Sequence, residues 1–271
     1  MLVTALYVPG DRPERFAKAV ATGAHVVILD LEDAVAGRHK DAARQHVVDW
    51  LESADEKPPA VEVRVNAGSA VDLEALAAAA GEFTIRLPKV ESPGDVDAAL
   101  AVLSRDLPIS VLVETARGLD AVSPIAAHPA VVAVGLGEAD LASDLGSGDD
   151  TVLDWARIRL LVAARAAGLP APMMSVFTDI GDIDRFAADT RRGKAMGFVG
   201  RTAIHPSQIP VIAAAFAPSA AEMAWAGEVL AATESGGVTT LASGEMVDSA
   251  MRRRADSILA LAAATRQTQS P

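Results

Sequence analysis

The 271-residue sequence predicts an α/β protein of the (β/α)8 TIM barrel class with a short C-terminal helical lid. Three observations predict this fold. Eight strand-like runs follow one another, Ala-rich helical patterns separate them, and the runs start roughly 22–40 residues apart, the size of a βα unit. An open doubly wound sheet is the alternative, but no G-x-G-x-x-G motif follows the first run.

The eight runs are rich in β-branched residues, and most are almost continuously apolar. This pattern is typical of parallel strands that are buried on both faces. In chain order they cover residues 2–8, 25–31, 61–65, 83–87, 109–113, 131–136, 172–177 and 198–204.

Helix signals lie between the runs. Ser92 followed by Pro93 predicts the start of a helix that reaches residue 104. The clearest helical pattern covers 153–167 and ends at Gly168.

The pattern changes after about residue 216, which divides the chain into a barrel over 1–217 and a lid or intersubunit arm over 218–271. Asp248 is typical of a helix cap. The prediction for this arm is helices at 220–232 and 250–265, a Gly/Thr/Ser-rich linker at 235–244, and frayed residues at 267–271.

Composition excludes several classes of function. The 36 acidic residues exceed the 24 basic ones, giving a net charge of −12 that argues against binding to nucleic acid. The absence of cysteine excludes disulfides, thiolate metal sites and cysteine nucleophiles. No apolar run reaches the ~18 residues of a membrane span, and no signal peptide pattern opens the chain. We therefore expect a cytoplasmic protein without a membrane partner.

The residues that end the predicted strands carry the chemistry, because barrel active sites lie at the C-terminal ends of the strands. Glu114 and Asp140 end adjacent strands. Carboxylates without cysteine suit a hard divalent cation, Mg²⁺ or alternatively Mn²⁺, which takes one or two protein carboxylates. The competing interpretation is that Glu114 caps the next helix and Asp140 holds its loop.

Two cationic residues also end strands. Arg64 needs an anion, and position alone leaves open a ligand carboxylate or an internal ion pair with Asp30 or Glu32. Lys89 would need a depressed pKa to form a Schiff base. The neighbouring carboxylates favour a charged amine in an ion pair or on a phosphate.

Three acidic residues, Asp30, Glu32 and Asp33, stand close together after the second run. The two-residue period of a strand places Asp30 and Glu32 on one face. We expect this group to support the site by holding metal-bound waters or orienting Arg64, with at least one member serving as a cap. His205 is a candidate general base, although a loop-anchoring role is favoured.

Eight segments that run in order over nearly the whole chain resemble one family, and together they are more specific than any one alone. The segments are VPGDRPERF from residue 8, LDLEDAV from 29, VRVN from 63, LPKVES from 87, VETARG from 113, GEADL from 137, AIHPSQIP from 203 and GEMVDS from 244. The chain resembles the citrate lyase β-subunit-like family, within the Mg²⁺-dependent HpcH/HpaI-type aldolases and malyl-CoA or citramalyl-CoA lyases.

The resemblance implies a barrel with a helical lid, assembled as a homotrimer or hexamer. It implies Mg²⁺ on Glu114 and Asp140, and Arg64 on the oxoacid. It also implies that Asp248 enters the site of a neighbouring subunit. Two departures are visible: Glu138 stands one place before the acidic position that is usual in the family, and Arg201 replaces a frequent lysine.

The expected reaction is reversible cleavage of a 3-hydroxy-3-carboxyacyl-CoA thioester of the citramalyl-, malyl- or citryl-CoA type into an acyl-CoA and a 2-oxoacid. Glu114, Arg64 and Asp248 are the expected catalytic residues. The expected CoA contacts are the basic residues Arg12, Arg15, Arg38, Lys40 and Lys89. The alternatives are a 2-oxoacid aldolase without CoA, a malyl-CoA-type thioester hydrolase, and a subunit that works only inside a citrate lyase complex.

Overall fold

Eight parallel strands form a nearly closed barrel, in the spatial order β6-β5-β4-β3-β2-β1-β8-β7. The computed structural model describes residues 1–53, 57–234, 238–241 and 243–267. The barrel strands are β1 (Thr4–Pro9), β2 (Val26–Asp30), β3 (Ala60–Arg64), β4 (Thr84–Leu87), β5 (Ile109–Val113), β6 (Val131–Leu136), β7 (Met173–Met174) and β8 (Gly200–Ala203). The predicted barrel is confirmed.

Helices surround the barrel and continue beyond it. They are α1 (Phe16–Val20), α2 (Lys40–Glu52), α3 (Ala70–Ala78), α4 (Pro93–Leu103), α5 (Ala116–Asp120), α6 (Val122–Ala126), α7 (Glu138–Leu145), α8 (Asp150–Ala166), α9 (Ile183–Met196), α10 (Gln208–Phe216), α11 (Ala220–Ala232) and α12 (Ser249–Gln267). Ser92 and Asp95 form the capping box of α4, as the Ser-Pro pattern predicted.

Strand alternation decides which side chains enter the barrel. Val27 and Leu29 of β2 pack outward into the large core beneath the helices, whereas Val26 and Ile28 pack inside the barrel. The two-residue period therefore directs Asp30 inward at the end of β2. The same alternation on β3 sends Val61 and Val63 outward and places the intervening charged residues inside.

The barrel has one open seam, between β6 and β7, which are the two ends of the hydrogen-bonded strand order. Strand β7 is only Met173–Met174, so the expected strand over 172–177 was too long. Pro172 cannot donate to a ladder. Beyond the strand, the main-chain oxygen of Ser175 accepts from the Arg201 side chain, and its hydroxyl accepts from Glu138 N at 3.4 Å.

The C-terminal segment has its own small apolar cluster, in addition to contacts with the barrel. Its buried members are Ala226, Val229, Leu241, Val247, Ala255 and Ile258. Helix α12 packs on α11 and α10, and Ala264 joins the main core. The two helices predicted for this segment are present. The boundary at residue 217 stays a prediction.

The predicted linker over 235–244 contains one strand of a short antiparallel hairpin, β9 (Thr239–Thr240) with β10 (Met246–Val247). Residues 235–237 and 242 lie outside the described part of the chain. The fraying predicted for 267–271 falls mostly on residues 268–271, which are also outside it.

Across the described residues, no individual helix is both long and apolar enough to cross a membrane. Helices α10 and α11 reach those limits only when they are taken together, across a 46° bend.

Candidate active site

Asp30 is the buried anchor of the site, at the end of β2. Its two carboxylate oxygens accept hydrogen bonds from Glu32 N at 2.9 Å and Ala34 N at 3.1 Å. These bonds fix the turn that follows β2. The turn positions the Glu32 and Asp33 side chains next to the neighbouring strands.

Arg64, at the end of β3, forms a forked ion pair with Asp30. Its Nε lies 2.7 Å from Asp30 Oδ1 and its Nη2 lies 2.6 Å from Oδ2. Its Nη1 lies 3.1 Å from Glu32 Oε2 and 3.2 Å from Asp33 Oδ2. Burial alone would lower the pKa of Arg64, but the ion pair with Asp30 more than offsets burial, so the pKa is raised and the guanidinium stays charged. The internal ion pair is therefore present, and it leaves Arg64 rigidly oriented.

Lys89 links three strand ends through its backbone and its side chain. Its φ of +53° is in the left-handed region, and its N–H donates to Glu114 Oε2 at 3.0 Å. Its Nζ lies 2.8 Å from Glu32 Oε1 and 3.5 Å from Asp140 Oδ2. The hydrogen bond to Glu32 is the largest cause of a raised pKa at Lys89. A charged amine is a poor Schiff-base nucleophile, so the ion-pair interpretation fits better.

Glu114, at the end of β5, is 4% exposed. Burial, followed by repulsion from Glu32 and Asp140, raises the pKa of Glu114 to about 7. Gly137 makes the space for this side chain, because a Cβ there would lie 2.5 Å from Glu114 Cγ and 2.7 Å from its Cδ. The positive charges of Lys89 and Arg64 oppose this shift without cancelling it, so the site holds a buried carboxyl group with too little positive charge around it.

A pocket of about 340 Å³ joins Glu114 to Asp140 at the C-terminal ends of the strands. Its lining consists of Asp33, Lys89, Glu114, Thr115, Asp140, Ser143 and Asp144. The competing structural roles are not observed: Thr115 rather than Glu114 caps α5, and the half-exposed Asp140 contacts Lys89. Glu114 and Asp140 are a pair of carboxylates, and within the described residues no cluster of three or more potential metal-binding side chains occurs. A pair suits Mg²⁺, which retains several waters.

Two other candidate residues lie away from this pocket. His205 is exposed, and its Nδ1 lies 2.7 Å from Ser207 Oγ. This contact holds together the loop that follows β8. Asp248 caps α12 by accepting from Ala250 N at 2.8 Å. It does not line the pocket of its own chain. Helix α12 runs instead to the N-terminal end of β2, where the Ala264 backbone lies against His25.

The basic residues expected at the CoA mouth differ in availability. Arg12, Arg15 and Arg38 are exposed in the loops after β1 and β2. Lys40 is not available, because its Nζ donates to Leu31 O at 2.7 Å, Glu32 O at 2.6 Å and Asn66 Oδ1 at 2.5 Å. Those three bonds use every proton of the ammonium group, so Lys40 holds the β2 turn in place.

The two departures from the family pattern meet at the open seam. Glu138 accepts from the buried Arg157 Nε at 2.8 Å. Arg201 Nη1 lies 2.7 Å from Asp189 Oδ2. We call the linked side chains the seam network; it consists of Glu138, Asp154, Arg157, Asp189, Arg192 and Arg201. These side chains connect α7, α8, α9 and β8 where backbone hydrogen bonds are missing.

One buried pair inside the barrel was missed in the sequence. Arg86 of β4 donates from Nε to Glu62 Oε2 of β3 at 2.6 Å. Arg86 is also the strand neighbour of Arg64. The two-residue period of a strand could have revealed it, because Glu62 and Arg64 stand two residues apart and therefore share the inward face.

Comparison with known proteins gives consistent matches. The model of the HpcH/HpaI aldolase/citrate lyase family matches residues 4–206, and that of a C–C bond lyase of the TIM-barrel fold matches residues 159–265. A citrate lyase subunit beta-like protein of Mycobacterium tuberculosis is 41% identical over 94% of this chain and 93% of its own. A (3S)-malyl-CoA thioesterase of Cereibacter sphaeroides is 39% identical over 85% and 82%.

The same bacterium has an L-malyl-CoA/beta-methylmalyl-CoA lyase that is 33% identical over 94% of this chain and 92% of its own. Among solved structures, CitE from Mycobacterium tuberculosis in complex with magnesium, acetoacetate and coenzyme A has a TM-score of 0.80 and 39% identity. That match covers 96% of this chain and 98% of the other. This chain therefore belongs to the HpcH/HpaI aldolase/citrate lyase family of carbon–carbon lyases.

Proposed function

We propose that the protein reversibly cleaves a 3-hydroxy-3-carboxyacyl-CoA thioester into an acyl-CoA and a 2-oxoacid. The observation that carries this proposal is the convergence of Glu114, Asp140, Lys89 and Arg64 at one end of the barrel. The malyl-CoA lyase among the relatives and the magnesium and coenzyme A bound to the similar structure support it.

The donor set fits Mg²⁺, with Mn²⁺ as an alternative. Glu114 has a pKa raised by burial and by neighbouring carboxylates, and a bound cation would offset both causes. Glu114 and Asp140 would hold the ion through oxygen atoms. When bound, it would supply a Lewis acid for the oxygen that becomes the ketone.

The chain's own residues then orient and neutralise the substrate. Asp30 fixes the plane of the Arg64 guanidinium, so Arg64 can face a carboxylate or a developing negative charge without reorganising. Glu32 and Lys89 hold each other beside Glu114. Arg12, Arg15 and Arg38, exposed in the loops after β1 and β2, would meet the phosphates of CoA at the rim. A CoA substrate would place the protein in the cytoplasm.

We assign the proton transfer at the acyl-CoA carbon to Asp248 of a neighbouring subunit. Asp248 does not line the pocket of its own chain, so the assignment requires an assembly such as a trimer or hexamer. Helix α8 offers a subunit contact, because Trp155, Ile158 and Val162 on one face are each more than half exposed. The 218–271 segment would then act as the intersubunit arm.

The test is a profile of cleavage rates with malyl-, citramalyl- and citryl-CoA, measured with Mg²⁺ for the wild type, Glu114→Ala and Arg64→Ala. We expect turnover of at least one thioester by the wild type and a loss of at least ~100-fold in both variants. Wild-type rates in both variants would refute the assignment. Glu91→Gln, which changes a carboxylate outside the pocket, is the control.

A second candidate is hydrolysis of a malyl-CoA-type thioester, because one relative carries the name of such a thioesterase. Release of free CoA would identify it, whereas the lyase releases acyl-CoA. Aldol chemistry with pyruvate and no affinity for CoA would favour the CoA-independent aldolase. Activity of the purified chain on a free CoA thioester would exclude a subunit that depends on a citrate lyase complex.

Mixing two inactive variants tests the position of Asp248. Glu114→Ala and Asp248→Ala should each be inactive alone, whereas a co-refolded mixture contains sites with both residues intact if Asp248 acts across the interface. Recovered activity in the mixture supports the proposal. Two inactive variants that never complement each other would place both residues in one chain's site.

A further inference from the structure

Lys89 contacts both of the carboxylates that are proposed to hold the metal ion. Its backbone N–H donates to Glu114 Oε2 at 3.0 Å, and its ammonium nitrogen lies 3.5 Å from Asp140 Oδ2. The two carboxylates follow different strands, β5 and β6, and Lys89 follows a third, β4. One residue therefore connects the two proposed metal ligands, and its charge is in a position to affect how they receive a cation.

The backbone of Lys89 adopts a conformation that favours glycine. Its φ is +53°, and among the described residues only Ser104 shares a positive φ without being a glycine. Ser104 ends helix α4 as its C-cap, where a left-handed residue is common. Lys89 instead lies in the loop after β4, where a glycine would adopt the same conformation with less strain. A strained residue beside a candidate site indicates a function for its side chain.

Glu32 keeps the ammonium group of Lys89 at the site. Its side chain is only 8% exposed, and its Oε1 accepts from Lys89 Nζ at 2.8 Å. Loss of this bond would leave a nearly buried carboxylate with less positive charge beside it, which is costly. The contact with Asp140 is longer, and the Asp140 side chain is 48% exposed. Of the two ion pairs, the one with Asp140 is therefore the easier to break.

A divalent cation on Glu114 and Asp140 would compete with this ammonium group for Asp140. The two cations have charges of the same sign, and the same carboxylate attracts both of them. Because Glu32 retains the ammonium group, binding of a metal ion costs the ion pair with Asp140 and places two cations in one pocket. A carboxylate that enters with the ligand would offset this cost, since it can replace Asp140 as a partner of the ammonium group.

The pocket at the strand ends offers the space for such a ligand. Its volume is about 340 Å³, and Lys89, Glu114 and Asp140 all line it. The described lining contains four carboxylates, and Lys89 is the only cationic residue in it. An anion that enters this pocket therefore has the Lys89 ammonium group as its ion-pair partner in the lining.

We propose that Lys89 couples the binding of Mg²⁺ to the binding of the 2-oxoacid. Its ammonium group competes with the cation for Asp140 until the carboxylate of the acid replaces Asp140 as its partner. This inference rests on the proposed function, because it takes Glu114 and Asp140 as the metal ligands. Coupling of this kind is reciprocal, so each ligand should strengthen the binding of the other by the same factor.

Calorimetry measures the coupling as the Kd of Mg²⁺ without and with saturating pyruvate, in the absence of any CoA compound. We expect pyruvate to lower the Kd of the wild type by ~10- to 100-fold, within the usual range of coupling between ligands. We call the ratio of the two Kd values the coupling factor. Direct contact between acid and cation would contribute to this factor in every variant, so the test compares variants with the wild type.

Lys89→Gly removes the ammonium group and retains the N–H group, in a backbone conformation that glycine adopts readily. This variant should bind Mg²⁺ alone ~10-fold more tightly than the wild type, and its coupling factor should be ~10-fold smaller. Lys89→Met is a second variant without the charge and should behave in the same way. Lys89→Arg keeps the positive charge and should retain most of the coupling.

Arg117→Met is the matched control, because it removes an exposed cation whose partner, Glu91, lies outside the pocket. Both of its Kd values should equal those of the wild type. The proposal would be overturned by a wild type whose Mg²⁺ binding does not respond to pyruvate, or by coupling factors that are equal in the wild type and the uncharged variants. Weaker binding of Mg²⁺ alone by Lys89→Gly would also contradict it, since the ammonium group would then assist the cation.

The binding measurement requires no turnover, so it separates this inference from the lyase assignment. A protein that shows the expected coupling but cleaves none of the CoA thioesters would retain the inference and lose the proposed function. A protein that cleaves a thioester but has the same coupling factor with and without the Lys89 charge would do the reverse.

Discussion

Two charged clusters in this barrel differ in their balance of charge. At the candidate site, five carboxylates share two cationic side chains: Asp30, Glu32, Asp33, Glu114 and Asp140 surround Arg64 and Lys89. In the seam network, three carboxylates meet three arginines: Glu138, Asp154 and Asp189 pair with Arg157, Arg192 and Arg201. The first cluster therefore has more negative than positive charge, whereas the charges of the second are equal in number.

The difference shows why one cluster is suited to chemistry and the other to structure. Burial, together with repulsion from Glu32 and Asp140, raises the pKa of Glu114 to about 7, and a bound cation would stabilise the charged carboxylate in this cluster. The balanced network gains nothing from a further ion. Its arginines instead tie helices to strands across the seam. Charge count around a buried group is thus a better guide to function than the number of ion pairs.

The largest expected effect is on activity, from Glu114→Ala. Removing one of two proposed metal ligands should reduce cleavage ~10³-fold and weaken Mg²⁺ affinity, because several kcal/mol of Lewis-acid stabilisation depend on the ion. Steady-state rates and Mg²⁺ titration measure this loss, against Glu91→Gln as the control. An unchanged Mg²⁺ requirement in Glu114→Ala would show that Glu114 does not hold the metal.

The next effect is on folding, from Arg157→Met in the seam network. This change removes the buried Arg157 guanidinium and leaves the partly buried Glu138 without its partner, so the free energy of unfolding should fall by ~3–5 kcal/mol. Urea denaturation measures it. Arg165→Met, an exposed position of the same helix, should change stability by less than ~1 kcal/mol. Equal effects of the two substitutions would show that the seam network is not structural.

A smaller effect should follow from Gly137→Ala, which changes no charge. The new Cβ would push the Glu114 side chain from its place, and a displacement of ~1 Å can cost ~100-fold in rate. Gly148→Ala adds the same methyl group where no atom lies within 4 Å. The ratio of kcat/KM between these variants measures how precisely Glu114 must be placed. A ratio near one would show that the reaction does not depend on the position of Glu114.

The smallest effect is a pH dependence of stability without metal. The native Glu114 carboxyl keeps its proton up to about pH 7, whereas its ordinary pKa is 4.5. The native state therefore binds more protons in this window, and the free energy of unfolding should fall by up to ~3 kcal/mol as pH rises from 4.5 to 7. Thermal unfolding at several pH values should show a flatter profile for Glu114→Gln. Mg²⁺ should stabilise the wild type more at pH 8 than at pH 6.

Strand positions and the residues at their C-terminal ends could be predicted because periodicity is local. Glu114 and Asp140 follow apolar runs on neighbouring strands, and barrel topology brings such residues together. The same reasoning predicted a capping carboxylate among Asp30, Glu32 and Asp33, which is Asp30, and the cap formed by Asp248. These features depend on the order of residues within one βα unit and on the position of that unit in the ring.

The partners of buried charges could not be predicted, because they depend on contacts between distant segments. Arg157 and Glu138 are 19 residues apart, and Arg201 reaches α9 and the loop after β7. Nothing in the sequence around Lys40 indicates that its three protons are used within the chain. The pairing of Arg86 with Glu62 likewise joins two strands that lie 24 residues apart in the chain.

A nearly closed barrel retains two sheet edges, and exposed edges favour pairing between chains and aggregation. Strand β7 limits this risk by being two residues long and by following Pro170 and Pro172. Strand β6 carries a register shift at Val132, the kind of bulge that twists an edge away from a partner. The barrel can therefore stay open at the seam, because neither of its two edge strands offers a long, regular row of backbone groups that a strand of another chain could pair with.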